Sequence, residues 1–354
     1  MRALVLAGGE GSRLRPITHT NAKQLIPIAN KPILFHALEH FRDAGIREVG
    51  IVVGATAAEV RSAVGDGSAW DLDVTYIPQE APLGLAHAVL ISSDFVRGEP
   101  FVMYLGDNVL VEGVAGFVRG FEQHRPNAQI FLTRVPEPER FGVAVLDGDR
   151  VVKLVEKPKE HISDLALVGV YLFDDTVLEA VASIEPSARG ELEITDAIQY
   201  LVDAGRTVRA EMVTGWWKDT GHPEDLLEAN RMMLSLLRAR VEGEVDRESR
   251  LEGAVVVEGG ARIVRSTLRG PVIIGAGTRV EDSVVGPDAA IYTDCAVRGS
   301  GIADSIVMEK CVIDGVGPVS GSILGKGVEV RGTGSVAGGS CRLIAGDQSR
   351  IELG

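Results

Sequence analysis

The sequence predicts an α/β protein in two parts, a mainly parallel sheet with covering helices followed by a parallel β-helix. Three observations carry this expectation. Strand-like and helix-like blocks alternate from the N-terminus to about residue 215. Beyond about residue 245 the helical period stops, and apolar residues recur six apart in a stretch that holds 20 of the 42 glycines. At 354 residues the chain is also long enough for two domains, each with its own core.

Taken in order, the strand candidates are Ala3 to Leu6, Val49 to Val53, Val74 to Ile77, Phe101 to Tyr104, Ile130 to Val135 and Ala144 to Val145. Between them, Ile33 to Ala44, Ala57 to Val64, Leu85 to Ser92 and Val114 to His124 carry apolar residues three and four apart, which predicts helices. Right-handed crossovers would bring the C-terminal ends of the strands, and the loops after them, to one edge, where ligands bind in such sheets. Residues 223 to 241 open with Pro and two acids after Thr220-Gly221-His222 and carry a Leu/Met face, predicting a capped connecting helix. The expected boundaries are 1–222, a connector at 223–244, and 245–354.

In the tail, Val257/Ile263, Leu268/Ile274, Ile274/Val280, Val285/Ile291, Ile291/Val297, Val307/Ile313 and Leu324/Val330 share the six-residue step. Such hexads mark a left-handed β-helix, each apolar residue pointing inward from a short strand. Imperfections near Ser300 and over Gly315 to Ser322 predict bulged coils or loops.

Fifty acidic against 36 basic residues give a net charge of −14, which disfavours nucleic-acid backbones and anionic bilayers as partners. No stretch approaches the roughly 18 apolar residues of a membrane span, and no leader pattern precedes the first strand, so the expected location is cytoplasmic. Cys295, Cys311 and Cys341 have no CxxC spacing and read as buried thiols.

The strongest local signal is Leu6-Ala7-Gly8-Gly9-Glu10-Gly11-Ser12-Arg13-Leu14-Arg15-Pro16 after the first strand. Clustered glycines let backbone N–H groups approach an anion, and Arg13 offers a charged fork to phosphate oxygens. The loop lacks GK[ST] and is not GxGxxG. With Lys23-Gln24-Leu25-Ile26-Pro27 and Asn30-Lys31-Pro32 it closely resembles the signature of the sugar-1-phosphate nucleotidylyltransferases, and KQLIP is similar to their glucose-1-phosphate thymidylyltransferase branch. Further blocks arrive in that family's order: residues 79–86, 105–108, 141–143, 155–158, 169–171, 190–196 and 216–221. The hexad tail matches the longer form of the family.

The resemblance implies a Rossmann-like nucleotidyltransferase domain that joins dTTP to glucose-1-phosphate with Mg²⁺. It implies Asp107 and Asp219 as the metal carboxylates, Lys23 against the reacting phosphates and Arg13 on the leaving half of the triphosphate. Leu6, Gly8, Gly9, Gly11, Ser12, Gln24 and Asn108 match the nucleotide loop and its surroundings. Gln79 and the backbone at Gly84 match the readers of a pyrimidine edge, an imide face that thymine and uracil share. Gly142, Glu156, Lys157, Leu167, Val168 and Tyr171 match the sugar-phosphate pocket, with Lys157 on the phosphate and Glu156 accepting from hydroxyls. The family's usual glutamine after Gly-Leu-Ala is His87 here, and its Gly-Thr-Arg is Gly11-Ser12-Arg13.

Three alternatives compete: a uridylyl or other hexose-phosphate transferase, an acyltransferase site in the β-helix, and a sugar-nucleotide-binding regulatory subunit without turnover. An acyltransferase wants a histidine base, and all seven histidines lie at or before His222. A regulatory subunit would be expected to lack Arg13, Lys23, Asp107 or Asp219, and all four are present. The tail is then expected to build a homo-oligomer contact or a regulatory site.

Overall fold

The opening strand runs from Arg2 to Ala7 and is buried after its first residue, because five small and branched apolar side chains follow one another without a break. Ala3 lies opposite Val49 on one side and Val102 on the other, both parallel, so this strand is central. The computed structural model describes residues 1–332 and 340–354. They form two compact units, Met1–Glu10 with Ile33–Asp219, and Gly11–Pro32 with Thr220–Gly354.

The first unit is built on a nine-stranded sheet in the order Asp73–Pro78, Glu48–Val53, Arg2–Ala7, Phe101–Leu105, Leu165–Phe173, Ala128–Arg134, Val208–Met212, Arg150–Glu156, Gly142–Asp147. The first four strands are parallel; Leu165–Phe173 then runs antiparallel to both its neighbours, so the sheet is mixed. Helices Ile33–Asp43, Ala57–Val64, Leu85–Ile91 and Ala115–His124 fall where the period placed them. The strands Arg150–Glu156 and Val208–Met212 and the helices Val177–Ser183 and Ile194–Asp203 complete the unit.

Among the described residues of the second unit, three parallel sheets of seven, seven and four strands stack coil on coil, the arrangement of a left-handed β-helix. From Val257 to Ile291 each coil is 17 residues long rather than three hexads of six, as in the bonds from Ser266 N to Ser249 Oγ and from Ser283 N to Ser266 Oγ. The inward residues Val257, Ile263, Leu268 and Ile274 are all buried, and the step from Ile263 to Leu268 is the short one. Each Val, Leu or Ile buried this way contributes about 1.5–3 kcal/mol.

The short side has a physical cause. Arg265, Asp282, Gly299 and Gly315 turn its corner in the left-handed region, each with φ between 46° and 64°. After the first three comes a serine whose hydroxyl donates to a carbonyl two residues back and accepts the backbone N–H of the next coil. Ser266, Ser283 and Ser300 thereby form a buried ladder at 3.0–3.1 Å that satisfies the donors of the bend. Ser300 is thus a regular corner and not a bulge; the irregularity beyond it is one missing residue, Val316 N meeting Ser300 Oγ 16 positions on. Over Gly315 to Ser322 the third side is irregular, Val319 making, among the described residues, only isolated bridges to Ile302 and Cys341. Cys295 and Cys311 are buried inside the coils, while Cys341 is partly exposed.

The connecting helix is Pro223–Ser235, shorter than the pattern suggested because Arg240–Val241 already pair with Val256–Val257 in the first coil. Its N-terminus is closed by His222 and Asp225, whose Oδ2 accepts from His222 N at 3.0 Å. Residues 11–32 group with this unit through specific bonds: Asn230 Oδ1 accepts from Ala29 N at 2.8 Å, and Asn30 Nδ2 donates to Ile291 O at 2.7 Å. Among the described residues no helix is long and apolar enough to cross a membrane.

Candidate active site

The expected residues divide between the two units. In the first, Phe101–Leu105 ends at Gly106, whose N–H donates to Leu6 O at 3.0 Å, so Asp107 emerges beside the end of the opening strand. The next residues, Asn108–Leu110, pair antiparallel with Trp217–Asp219, and Asp219 stands directly opposite Asn108. Asp219, 112 positions on in sequence, is thereby held on the strand opposite the residue that follows Asp107. Asn108 is buried and ties Asp107 to the strand that carries Asp219: its Nδ2 donates to Asp107 Oδ1 at 3.1 Å, and its Oδ1 accepts from Trp217 Nε1 at 2.6 Å. The buried Tyr104 hydroxyl donates to Asn108 O at 3.0 Å, and burial, with Asp107 nearby, pushes its pKa well up, so it stays a neutral donor.

Gly169 leaves room for this arrangement. Its φ is +72°, and a Cβ there would stand 3.0 Å from Asn108 Nδ2 and 2.9 Å from Leu105 Cδ1. Two carboxylates with no third acidic, His or Cys group beside them among the described residues form a hard, all-oxygen, incomplete donor set. That chemistry fits Mg²⁺, which takes few protein oxygens and completes its octahedron with water and phosphate.

On the nucleotide side Gln79 follows the strand Asp73–Pro78, its N–H bonded to Val53 O at 2.8 Å. Its Nε2 donates to His87 Nδ1 at 3.0 Å and to Gly84 O at 3.4 Å, which leaves Oε1 directed at Gly8, 3.1 Å from where a Cβ would sit. His87, the departure from the family pattern, therefore fixes the orientation of the Gln79 amide. Gly84 has φ +107° and lies against the Leu192 backbone, where a side chain would collide with the Leu192 carbonyl. Leu192 also bonds Leu83 O and Ala86 N at 2.8 and 3.0 Å, so residues 190–196 clip the loop that carries Gly84. Gly54, unnoticed in the sequence, is needed because a Cβ would stand 2.6 Å from Gly8 O.

On the sugar side Gly142 and Glu156 face each other across the last hairpin, and Lys157 N donates to Phe141 O at 3.0 Å. Lys157 Nζ lies 3.6 Å from Glu156 Oε1, and Arg189 Nη1 3.2 Å from the same oxygen. Arg189 also reaches Glu191 at 2.7 Å and Glu193 at 3.8 Å. Glu193 is buried, and burial raises its pKa, against the Ser187 hydroxyl that donates to it at 2.8 Å. Leu167 is the last regular pair before an irregularity in register that contains Val168 and ends at Tyr171, which is buried with its ring stacked on Phe173. Thr195, 1% exposed, has no hydrogen-bond partner for its Oγ1 among the described residues and lies beside Gly142. Arg189 and Thr195 were missed; the only signal was their place beside and within the block at 190–196.

In the second unit Gly11 has φ +64° and opens the turn Ser12–Leu14. A Cβ on Gly11 would press on Lys23 Cβ at 2.9 Å, and Gly11 O accepts from Thr18 Oγ1 at 2.7 Å, so the loop is folded back on itself. Lys23 is only 8% exposed, which marks it as a fixed cation and not a solvated one. Gln24 is buried, and its Oε1 has no hydrogen-bond partner among the described residues. Arg13 is exposed, with Nη1 3.3 Å from His222 Nε2.

Comparison with known proteins gives the chain its relatives. The nucleotidyl transferase family matches residues 2–235. A glucose-1-phosphate thymidylyltransferase of Streptomyces griseus is 55% identical over 354 residues, covering 100% of this chain and 99% of its own. Another, of Streptomyces antibioticus, is 52% identical over 356 residues, with 100% and 99% covered. A crystal structure from Bacillus anthracis, designated a glucose-1-phosphate thymidylyltransferase in complex with sucrose, is 36% identical at a TM-score of 0.62, covering 66% of this chain and 94% of its own.

Proposed function

The chain belongs to the nucleotidyl transferase family, and on that premise we propose that it transfers a thymidylyl group from dTTP to glucose-1-phosphate, giving dTDP-glucose and pyrophosphate. The observation that carries this reading is the register that sets Asp219 opposite Asn108 and so beside Asp107. The nucleophile is already an anionic phosphate oxygen, so the barrier is charge repulsion and alignment more than proton transfer. Mg²⁺ bound between Asp107 and Asp219 would supply charge neutralisation at the α-phosphate.

This chain's residues do the rest. Lys23 and Arg13 bring positive charge to the triphosphate, and Gly8, Gly9, Gly11 and Ser12 offer backbone N–H groups at short range. Gln79, turned by His87, presents an amide edge to the base. Lys157 and Arg189 hold the sugar's phosphate, and Glu156 and Thr195 Oγ1 address hydroxyls near Gly142. Residues 1–222 form the catalytic domain and 245–354 the β-helix in this reading, which also takes the enzyme to be a cytoplasmic homo-oligomer.

The test is pyrophosphate release with Mg²⁺, crossing dTTP, UTP, GTP, ATP and CTP against glucose-, galactose-, mannose- and N-acetylglucosamine-1-phosphate. Preference for dTTP with glucose-1-phosphate establishes the reading; preference for UTP makes it a uridylyltransferase; silence in every combination overturns it.

A further inference from the structure

The loop that carries Arg13 and Lys23 is held from the far end of the chain. Asp347, in the last coil of the β-helix, accepts from Thr20 Oγ1 at 2.8 Å through Oδ2 and from Asn21 Nδ2 at 2.9 Å through Oδ1. The same Oδ1 accepts from Lys326 N at 2.8 Å, which ties the carboxylate to the coil before its own. Asn21 is buried, and its amide also donates to Ile17 O at 3.1 Å, so both of its hydrogens are used in fixing the turn. Gly346 lies against Pro16, where a Cβ would stand 2.8 Å from the Pro16 carbonyl. Gly325 makes the space for the clasp, because a Cβ there would stand 2.6 Å from Asp347 Oδ1.

Thr20 and Asn21 lie in the middle of the segment. On one side the turn Ile17–His19 leads through Thr18 to the Gly11 carbonyl and so to Arg13. On the other, Lys23 begins the turn Lys23–Leu25 two residues on. A single carboxylate that binds both residues therefore restrains both cations, and the three bonds it accepts fix its own orientation.

We propose that Asp347 is a positioning residue for the triphosphate-binding loop, through which the terminal coil of the β-helix sets affinity for the nucleotide without contributing a group to the chemistry. This rests on the thymidylyltransferase reading for its kinetic consequence.

Asp347→Ala should raise KM for dTTP about tenfold while KM for glucose-1-phosphate moves by less than about twofold, as expected for a lost set of charge-assisted bonds on one substrate's side. Asn21→Ala should raise KM for dTTP too, and the double variant should be far from additive. Glu329→Gln, on a neighbouring strand of the β-helix, should leave both KM values unchanged. Hydrogen exchange of the full chain without substrate gives a second measurement: backbone amides of 17–25 should exchange faster in Asp347→Ala, with the remaining coils unaltered. Equal rises in both KM values, additive single variants, or unchanged exchange at 17–25 would each overturn the proposal. If the unaltered chain turns over no triphosphate, the functional reading has failed separately, and exchange alone decides whether Asp347 orders the loop.

Discussion

The nine-stranded sheet unit and the β-helix solve the same problem, burying branched apolar residues, under opposite rules. In the β-helix one solution repeats: an inward Val, Leu or Ile on each side, a left-handed residue at the corner, a serine after it, then the same again 17 residues on. In the sheet unit no solution repeats. Asn108 serves Asp107, Trp217 and Tyr104 at once, and Gly54, Gly84, Gly142 and Gly169 are each required by a different neighbour. The difference teaches where chemistry can be housed. A periodic scaffold spreads small, equal contributions, whereas a site concentrates unlike groups whose individual loss is not shared by neighbours.

The contrast can be broken most severely at the carboxylates. Asp107→Asn and Asp219→Asn should each lower kcat by about 10³-fold or more with little change in melting temperature, measured by pyrophosphate release and thermal unfolding. Retention of kcat in either would remove it from the metal pair. In the β-helix the reverse should hold. Ile274→Ala should cost about 2–5 kcal/mol of stability and leave the kcat of the folded enzyme intact, read by denaturant unfolding.

A smaller effect sharpens the comparison further. Ser283→Ala leaves the Ser300 N–H without its acceptor and should cost about 1–3 kcal/mol, with Ser266→Ala costing about the same because the ladder is periodic. Unequal costs would show that the coils are not equivalent. The smallest effect concerns Glu193, whose pKa is raised by burial. A carboxyl raised in the folded state contributes stability that is complete below its unfolded pKa, about 4.3, and is lost as pH rises through the folded value. Glu193→Gln should therefore flatten the decline in stability as pH rises above about 4.3. An unchanged slope would remove Glu193 as the source.

Periodicity made much of this legible beforehand. Buried parallel strands are continuous apolar runs, and amphipathic helices and hexads have fixed steps, so the opening strand, the helices to residue 124 and the β-helix could be read directly. The strands Arg150–Glu156 and Val208–Met212 could not, because they lie toward the edge and interleave charged residues such as Arg150, Lys153, Arg209 and Glu211. The five-residue side of the coil escaped for a related reason: its marker is a serine and a left-handed residue, polar and conformational signals that a search for apolar spacing passes over. At the site, residues in short contiguous motifs could be named, whereas Arg189, Thr195 and Gly54 act through partners distant in sequence. The grouping of residues 11–32 with the C-terminal unit was invisible for the same reason, resting on pairs such as Asn21 with Asp347.

The segment from Asn21 to Asn30 is pinned at two heights on the β-helix, by Asp347 at one end and by the Ile291 carbonyl at the other. In the sheet between them the register climbs from Ile291 to Val307, Leu324 and Ala345. At about 4.8 Å per rung those anchors are about 14 Å apart along the stack, a span the ten-residue segment bridges with slack to fold. The stack thus acts as a ruler with whole-coil graduations. An insertion or deletion of one complete coil between the anchors would leave the inward side chains buried and still put Asp347 one graduation out of place.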